Sequence, residues 1–214
     1  MSIVRQVVTA RGWNTRTVAS LVAAAAAYWV VAHVGIRLRS PADLLTAGPV
    51  LDKMILVGLA MPVAVIVRSL EDRCAWLLAT GARRRWRVRA AYLAGVYLAS
   101  LTLGVALAWA TPGQQSRLLV VSDFALLLGL GCLAAVLFGA QLAWTVPVGV
   151  ALACSTPGLI PLDVNAPSRA DHAWVVLWTA LAVLVIAFLL FTRFDDQGFG
   201  GRRLRTRLSG ITDE

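Results

Sequence analysis

Glu71, Asp72, Arg73 and Trp76 are the residues in this chain best suited to gripping another protein. Two carboxylates and a guanidinium supply charge-assisted hydrogen bonds, and tryptophan is a favoured anchor in buried protein contacts. All four lie in residues 68–89, a polar stretch between two long apolar segments that holds seven of the chain's twenty basic residues. Other chemistry is sparse. The single lysine, Lys53, is followed by Met54, so no Gly-x-x-x-x-Gly-Lys-Ser/Thr loop is present to cradle ATP. The two histidines, His33 and His172, belong to no His-Glu-x-x-His motif, and no Gly-x-Ser-x-Gly elbow occurs. Cys74, Cys132 and Cys154 form no spaced pair of the kind that marks a disulfide framework or a zinc site. No catalytic or metal-binding residue is assigned. The chain is read as not an enzyme and as carrying no cofactor of its own.

The element that positions the gripping residues is a short helix with both ends marked. Ser69 suits its N-cap, Glu71 and Asp72 fill a first turn where the helix dipole favours negative charge, and Gly81 suits the position just past its C-terminus. Leu70, Cys74, Leu77 and Leu78 fall on one face at helical spacing, while Asp72, Trp76 and Ala79 point the other way. About eleven residues span roughly 16 Å, too short to cross a bilayer. The expectation is a cytoplasmic helix with its apolar face on the membrane domain and its polar face towards a partner. Arg83, Arg84 and Arg85, just beyond it, anchor topology and are candidates for contact with lipid phosphate or an acidic partner.

Around this helix the chain is strongly apolar. Of 214 residues, 59% are hydrophobic and only 14% charged, against about 25% charged in soluble domains. The mean hydropathy is +0.75. An integral membrane protein is expected, all-α, with six transmembrane helices at about residues 18–36, 44–67, 90–110, 118–138, 142–162 and 173–191. The fifth contains Pro147 and is broken by Ser155-Thr156-Pro157-Gly158, since proline removes a donor that lipid cannot replace. Residues 1–16 form a basic N-terminus, read either as an interfacial helix or as a frayed end. Residues 17–191 form the membrane domain and residues 192–214 a charged tail. The first apolar run is longer than a usual signal-peptide core, so the chain is expected to keep its first 27 residues.

The arginines set the orientation. With the N-terminus inside, fifteen basic residues fall on the cytoplasmic side and five outside, which follows the positive-inside rule. The net charge of +9 is therefore read as membrane topology and lipid contact, and no nucleic-acid partner is expected. Trp109 and Trp174 are placed at the outer interface, and Trp13, Trp86 and Trp144 near the inner one. Polar residues in or near the crossings take local roles in this reading. Asp52 and Lys53 sit near the outer interface, with a substrate or gating role as the alternative, and Asp123, after Ser122, sits at a helix end, with a proton path as the alternative. Gln141 and Thr145 satisfy local backbone, His33 is interfacial, and Cys132 and Cys154 pack between helices. Gly129, Gly131 and Gly139 permit close helix contact.

A basic N-terminus, six crossings, a capped helix between the second and third, and a Pro-Gly break before the sixth together resemble the permease subunit of an ABC-2-type ATP-binding-cassette exporter. The resemblance covers nearly the whole chain as architecture, and its one local motif is Leu70-Glu71-Asp72-Arg73 through Gly81 and the arginines after it. Those residues resemble the family's coupling helix, which docks on the nucleotide-binding subunit. Residues 157–161 resemble the family's re-entrant element before the last helix. The resemblance implies several further properties. Glu71, Asp72, Arg73 and Trp76 would face an ATP-binding subunit, and ATP and magnesium would be bound there and not here. A second permease copy or a paralogue would complete the pathway, in a bacterial cytoplasmic membrane with both termini inside. The cargo would be a lipid, antibiotic, peptide or other hydrophobic compound. The chain's small outer loop departs from many members and weighs against a large or glycosylated cargo. The alternative class is a membrane-embedded sensor or assembly protein, or an intramembrane enzyme, working without an ATPase. That class calls for a cluster of polar side chains inside the bilayer.

Overall fold

The computed structural model describes residues 15–34, 53–70, 85–112, 116–156, 159–160 and 165–194. Among them every regular element is helical. Seven α-helices occur in order: α1 (Thr15–Val34), α2 (Lys53–Arg68), α3 (Arg85–Ala110), α4 (Arg117–Phe138), α5 (Ala140–Ala143), α6 (Thr145–Ser155) and α7 (Ala173–Phe194). Two 3₁₀ turns, Ala166–Ser168 and Ala170–His172, lead into α7. Four stretches are long and apolar enough to cross a membrane: α1, the Ala90–Ala110 part of α3, α4, and Ala170–Arg193. They mark the chain as a membrane-embedded protein. Two more apolar helices, Met54–Arg68 and Ala140–Ser155, are shorter. At 1.5 Å per residue each covers only about 24 Å.

The sequence explains where these helices end. Ser116 caps α4, its side chain accepting from the Leu119 N–H at 3.4 Å. Gly139 ends α4 at φ 89°, a backbone conformation open to glycine at little cost, and its N–H reaches the Ala135 carbonyl at 3.0 Å. Gly139 therefore makes the tight turn expected of Gly139-Ala140-Gln141 between the fourth and fifth apolar segments. The fifth apolar segment is split at Trp144 into α5 and α6. Pro147 has no N–H to offer the Ala143 carbonyl, which places the interruption there. That segment then stops at Ser155, at the start of the expected break. Pro62, by contrast, is accommodated inside α2 without ending it. Ser69, read as the cap of a following helix, closes α2 here. Its N–H reaches the carbonyls of Val65 and Ile66, and its hydroxyl donates back to Ile66 at 2.6 Å.

α4 is the axis of the bundle. It packs along α7 and also against α2, α3, α5 and α6, and 14 of its 22 residues are buried. Close approach comes from small residues, as expected where lipid is as apolar as leucine and gives no driving force between helices. A β-carbon placed on Gly131 would lie 2.5 Å from a Val67 methyl of α2, and one on Gly104 of α3 would lie 2.6 Å from the Phe124 ring of α4. One on Gly129 would lie 3.0 Å from Val183 and 3.2 Å from the Leu184 backbone of α7. The outer helices bury a single stripe. α1 buries Ala24, Tyr28 and Ala32, four residues apart. α7 buries Ala173, Val176, Ala180, Leu184, Ala187 and Phe191 and leaves Trp174, Trp178, Leu181, Val185 and Leu189 exposed. In water such a face would be an aggregation hazard, whereas in a bilayer it is the surface that meets acyl chains.

Candidate functional site

The second turn of α4 carries Asp123, which is fully buried. Six residues separate it from the start of the helix at Arg117, about 9 Å along the axis. Neither carboxylate oxygen has a hydrogen-bond partner. Ser122 beside it is already committed, its hydroxyl donating to the Leu118 carbonyl at 2.7 Å. The sequence reading placed Asp123 at a helix end. The helix begins earlier than Asp123, and α2, α3, α6 and α7 close around it, so the residue lies inside the packed bundle.

The last turn of α6 reaches the same level. Gly131 of α4 lies against the Pro147 ring of α6, and the two helices run in opposite directions from the Gly139 turn, which brings Cys154 level with Asp123. The Cys154 carbonyl is among the last of its helix, where no intrahelical donor remains, and Asn165 supplies one from Nδ2 at 2.8 Å. The Leu152 carbonyl is met by the Thr156 N–H at 2.9 Å and the Thr156 hydroxyl at 2.8 Å. Asn165 is buried in this position, 3% exposed, and its Oδ1 has no partner. Three acceptor oxygens thus lie around Cys154 with no donor pointed at them. They are two from Asp123 and one from Asn165.

The same end of the bundle is tied together by polar and aromatic contacts. The Tyr28 hydroxyl bonds the Thr111 hydroxyl, which in turn donates to the Leu107 carbonyl at 2.8 Å, fixing α1 to the end of α3. The Arg117 guanidinium lies over the Trp109 ring, 4.2 Å from its centroid. Arg169 pairs with Asp171 through two hydrogen bonds. Arg117 and Arg169, the arginines described at this end, therefore have aromatic or acidic partners of their own. A lone carboxylate held away from water and from a counter-charge is costly, and such a group takes up a proton or binds a cation or donor instead. Among the described residues no group of three His, Cys, Asp or Glu side chains is placed to hold a metal ion.

Of the residues assigned to a partner from sequence, Glu71, Asp72, Arg73, Cys74, Trp76, Leu77, Leu78, Arg83 and Arg84 lie outside the described residues. Arg85 opens α3. Leu70 is completely buried, and its N–H reaches the Val67 carbonyl at 3.1 Å. The Tyr92 hydroxyl of α3 donates to the Ser69 carbonyl at 3.1 Å, so the turn that leads into residues 71–84 is held by both α2 and α3. Cys132 is buried against α3 beside Tyr97, in keeping with a packing role, and Tyr97 donates to the Leu184 carbonyl at 3.3 Å. His33 stacks on Trp29 and donates from Nδ1 to the Trp29 carbonyl at 2.9 Å. Asn165 was not singled out from sequence. Its one signal is a carboxamide shortly after a Pro-Gly break, where the end of a helix needs a donor. No protein-family model, curated protein or solved structure matches this chain.

Proposed function

We propose that this chain is the permease subunit of an ATP-driven exporter of hydrophobic or amphipathic compounds, working with a separate ATP-binding subunit and a second permease copy or paralogue. The observation that carries this reading is the order and length of the apolar helices. Four are long enough to cross, and a short one stands second and another fifth, the fifth ending at Ser155 just before Pro157-Gly158. Counting the short helices as crossings gives six and keeps both termini on one side. The exposed apolar faces of α1 and α7 leave room for lipid and for a second subunit. In this reading residues 69–81 form the coupling helix, mounted on the Ser69–Leu70 turn. Glu71, Asp72, Arg73 and Trp76 face the ATPase, Leu70, Cys74, Leu77 and Leu78 face the membrane domain, and Arg83 to Arg85 meet lipid phosphate or acidic residues.

The test is a search of the adjacent reading frames for a P-loop protein and its co-expression with this chain, followed by purification through a tag on this chain. Recovery of that protein, with ATP hydrolysis stimulated by cargo, is the expected result. Recovery of the permease alone would remove the exporter reading. One observation favours a second reading, a membrane-embedded sensor or assembly protein. The unpartnered Asp123 with Asn165 supplies the buried polar cluster such a protein would use.

Orientation has its own test. In a Cys132→Ala, Cys154→Ala background, Cys74 should react with an impermeant maleimide only after the cells are opened. Labelling in intact cells would reverse the assignment of all fifteen cytoplasmic basic residues together.

A further inference from the structure

We infer that Asp123, Asn165 and the last turn of α6 form a buried binding site for one monovalent cation, a proton or a sodium ion. Among the described residues, the buried side-chain oxygens without a partner are Asp123 Oδ1, Asp123 Oδ2 and Asn165 Oδ1. Asn165 bonds the Cys154 carbonyl, and Asp123 stands at the same level of the bundle, because α4 and α6 run in opposite directions from the Gly139 turn with Gly131 against Pro147. Buried polar groups in folded proteins nearly always find a partner, so three orphans in one place call for a shared explanation. Every one is an acceptor. A proton or a cation satisfies acceptors, and an anion or a second acceptor does not.

The charge of the site fixes the charge of its ligand. Asp123 is a single carboxylate, and one positive charge neutralises it. Among the described side chains, none facing Asp123 supplies that charge. From α6 the titratable neighbour is the Cys154 thiol, which offers no positive charge. From α1 and α3, Tyr28 and Tyr97 are bonded to Thr111 and to the Leu184 carbonyl. Arg117, on α4 itself, lies over Trp109, and Arg169 is paired with Asp171. Arg68 and Arg193 stand in the last turns of α2 and α7, at the far ends of those helices from Asp123. This inference does not depend on an ATPase partner.

A ligand bound only by the folded protein stabilises it by mass action. While the free cation stays well above its dissociation constant, each tenfold fall should lower the melting temperature by about 3–5 °C for a chain of this size, and the dependence should vanish once the site empties. The purified full chain is melted in detergent across a pH series in sodium-free choline chloride, and again at the highest pH with increasing sodium chloride. If the ligand is a proton, the parent's melting temperature falls as pH rises and sodium restores nothing. If sodium also occupies the site, sodium chloride recovers the loss and an equal concentration of choline chloride does not. Asp123→Asn keeps the shape and removes the charge, so it should show neither dependence. Infrared difference spectra of the parent should show a protonated-carboxyl band disappearing over the same pH range. That second readout needs no variant. Identical pH and sodium dependence in the parent and Asp123→Asn would overturn the site. So would a parent melting temperature that responds to neither, without a carboxyl band.

Discussion

Gly131→Ala should destabilise the bundle by about 1–3 kcal/mol, although alanine is the better helix former by up to about 1 kcal/mol. The two effects have opposite signs, and geometry decides which wins. The added methyl would lie 2.5 Å from the Val67 Cγ2 methyl and 3.5 Å from the Pro147 ring. Neither neighbour can turn aside. Val67 is completely buried with a stiff β-branched side chain, and Pro147 is a ring. Relief would require α2 to move off α4, which would open the contacts of Val63 and Ile66 as well. Gly95 is the control. It is exposed on α3 and a β-carbon there meets nothing within 4 Å, so Gly95→Ala should be neutral or stabilising. The comparison is made by thermal melting in detergent. The pair Gly131→Ala with Val67→Ala should lose less than the sum of the single changes, because Val67→Ala makes the space that the added methyl needs. Additive losses would show that the Val67 contact does not set the cost.

The positions of four apolar helices long enough to cross a membrane were legible in the sequence, and the site inside the bundle was not. Uncharged apolar runs bounded by turn residues place α4 and α7 to within a few residues, and Pro147 with Pro157-Gly158 marks the irregular fifth segment. Gly129 and Gly131 were readable as contact residues because few other reasons put two glycines in such a run. Asp123 was hidden by the composition that made the helix obvious. In a soluble helix the polar face shows which way a residue points. α4 is apolar all round, because it is surrounded by other helices, so nothing in its pattern distinguishes a carboxylate facing lipid headgroups from one facing the bundle. The missing information lies in the tertiary contacts. α6 ends beside Asp123, and Asn165 folds back onto that end. Both depend on how α6 and Asn165 meet the central helix, which local sequence does not encode.

In the proposed exporter, Glu71→Ala combined with Trp76→Ala should leave the chain inserted and correctly oriented while weakening its hold on an ATP-binding subunit by about 30-fold or more. The figure follows from a loss of about 2 kcal/mol for a tryptophan at the centre of a protein contact. Orientation should survive because the arginines of residues 68–89 are untouched. The argument for this stretch as the coupling point begins with its mount. Leu70 is fully buried, Ser69 closes α2, and Tyr92 ties the Ser69 carbonyl to α3. A push on residues 71–81 would thus be delivered to two membrane helices at once, and through Val67 and Gly131 from α2 to the central helix. A Leu70→Ala change should separate the two functions of the stretch. It leaves Glu71 and Trp76 in place, so the ATPase should still be recovered. It also loosens the mount by about 2–5 kcal/mol, so cargo should no longer stimulate hydrolysis. The measurements are co-purification and cargo-stimulated ATP hydrolysis for the parent, the double variant and Leu70→Ala. Undiminished recovery with the double variant would remove Glu71 and Trp76 from the interface. Full stimulation with Leu70→Ala would show that force does not pass through the Ser69–Leu70 turn.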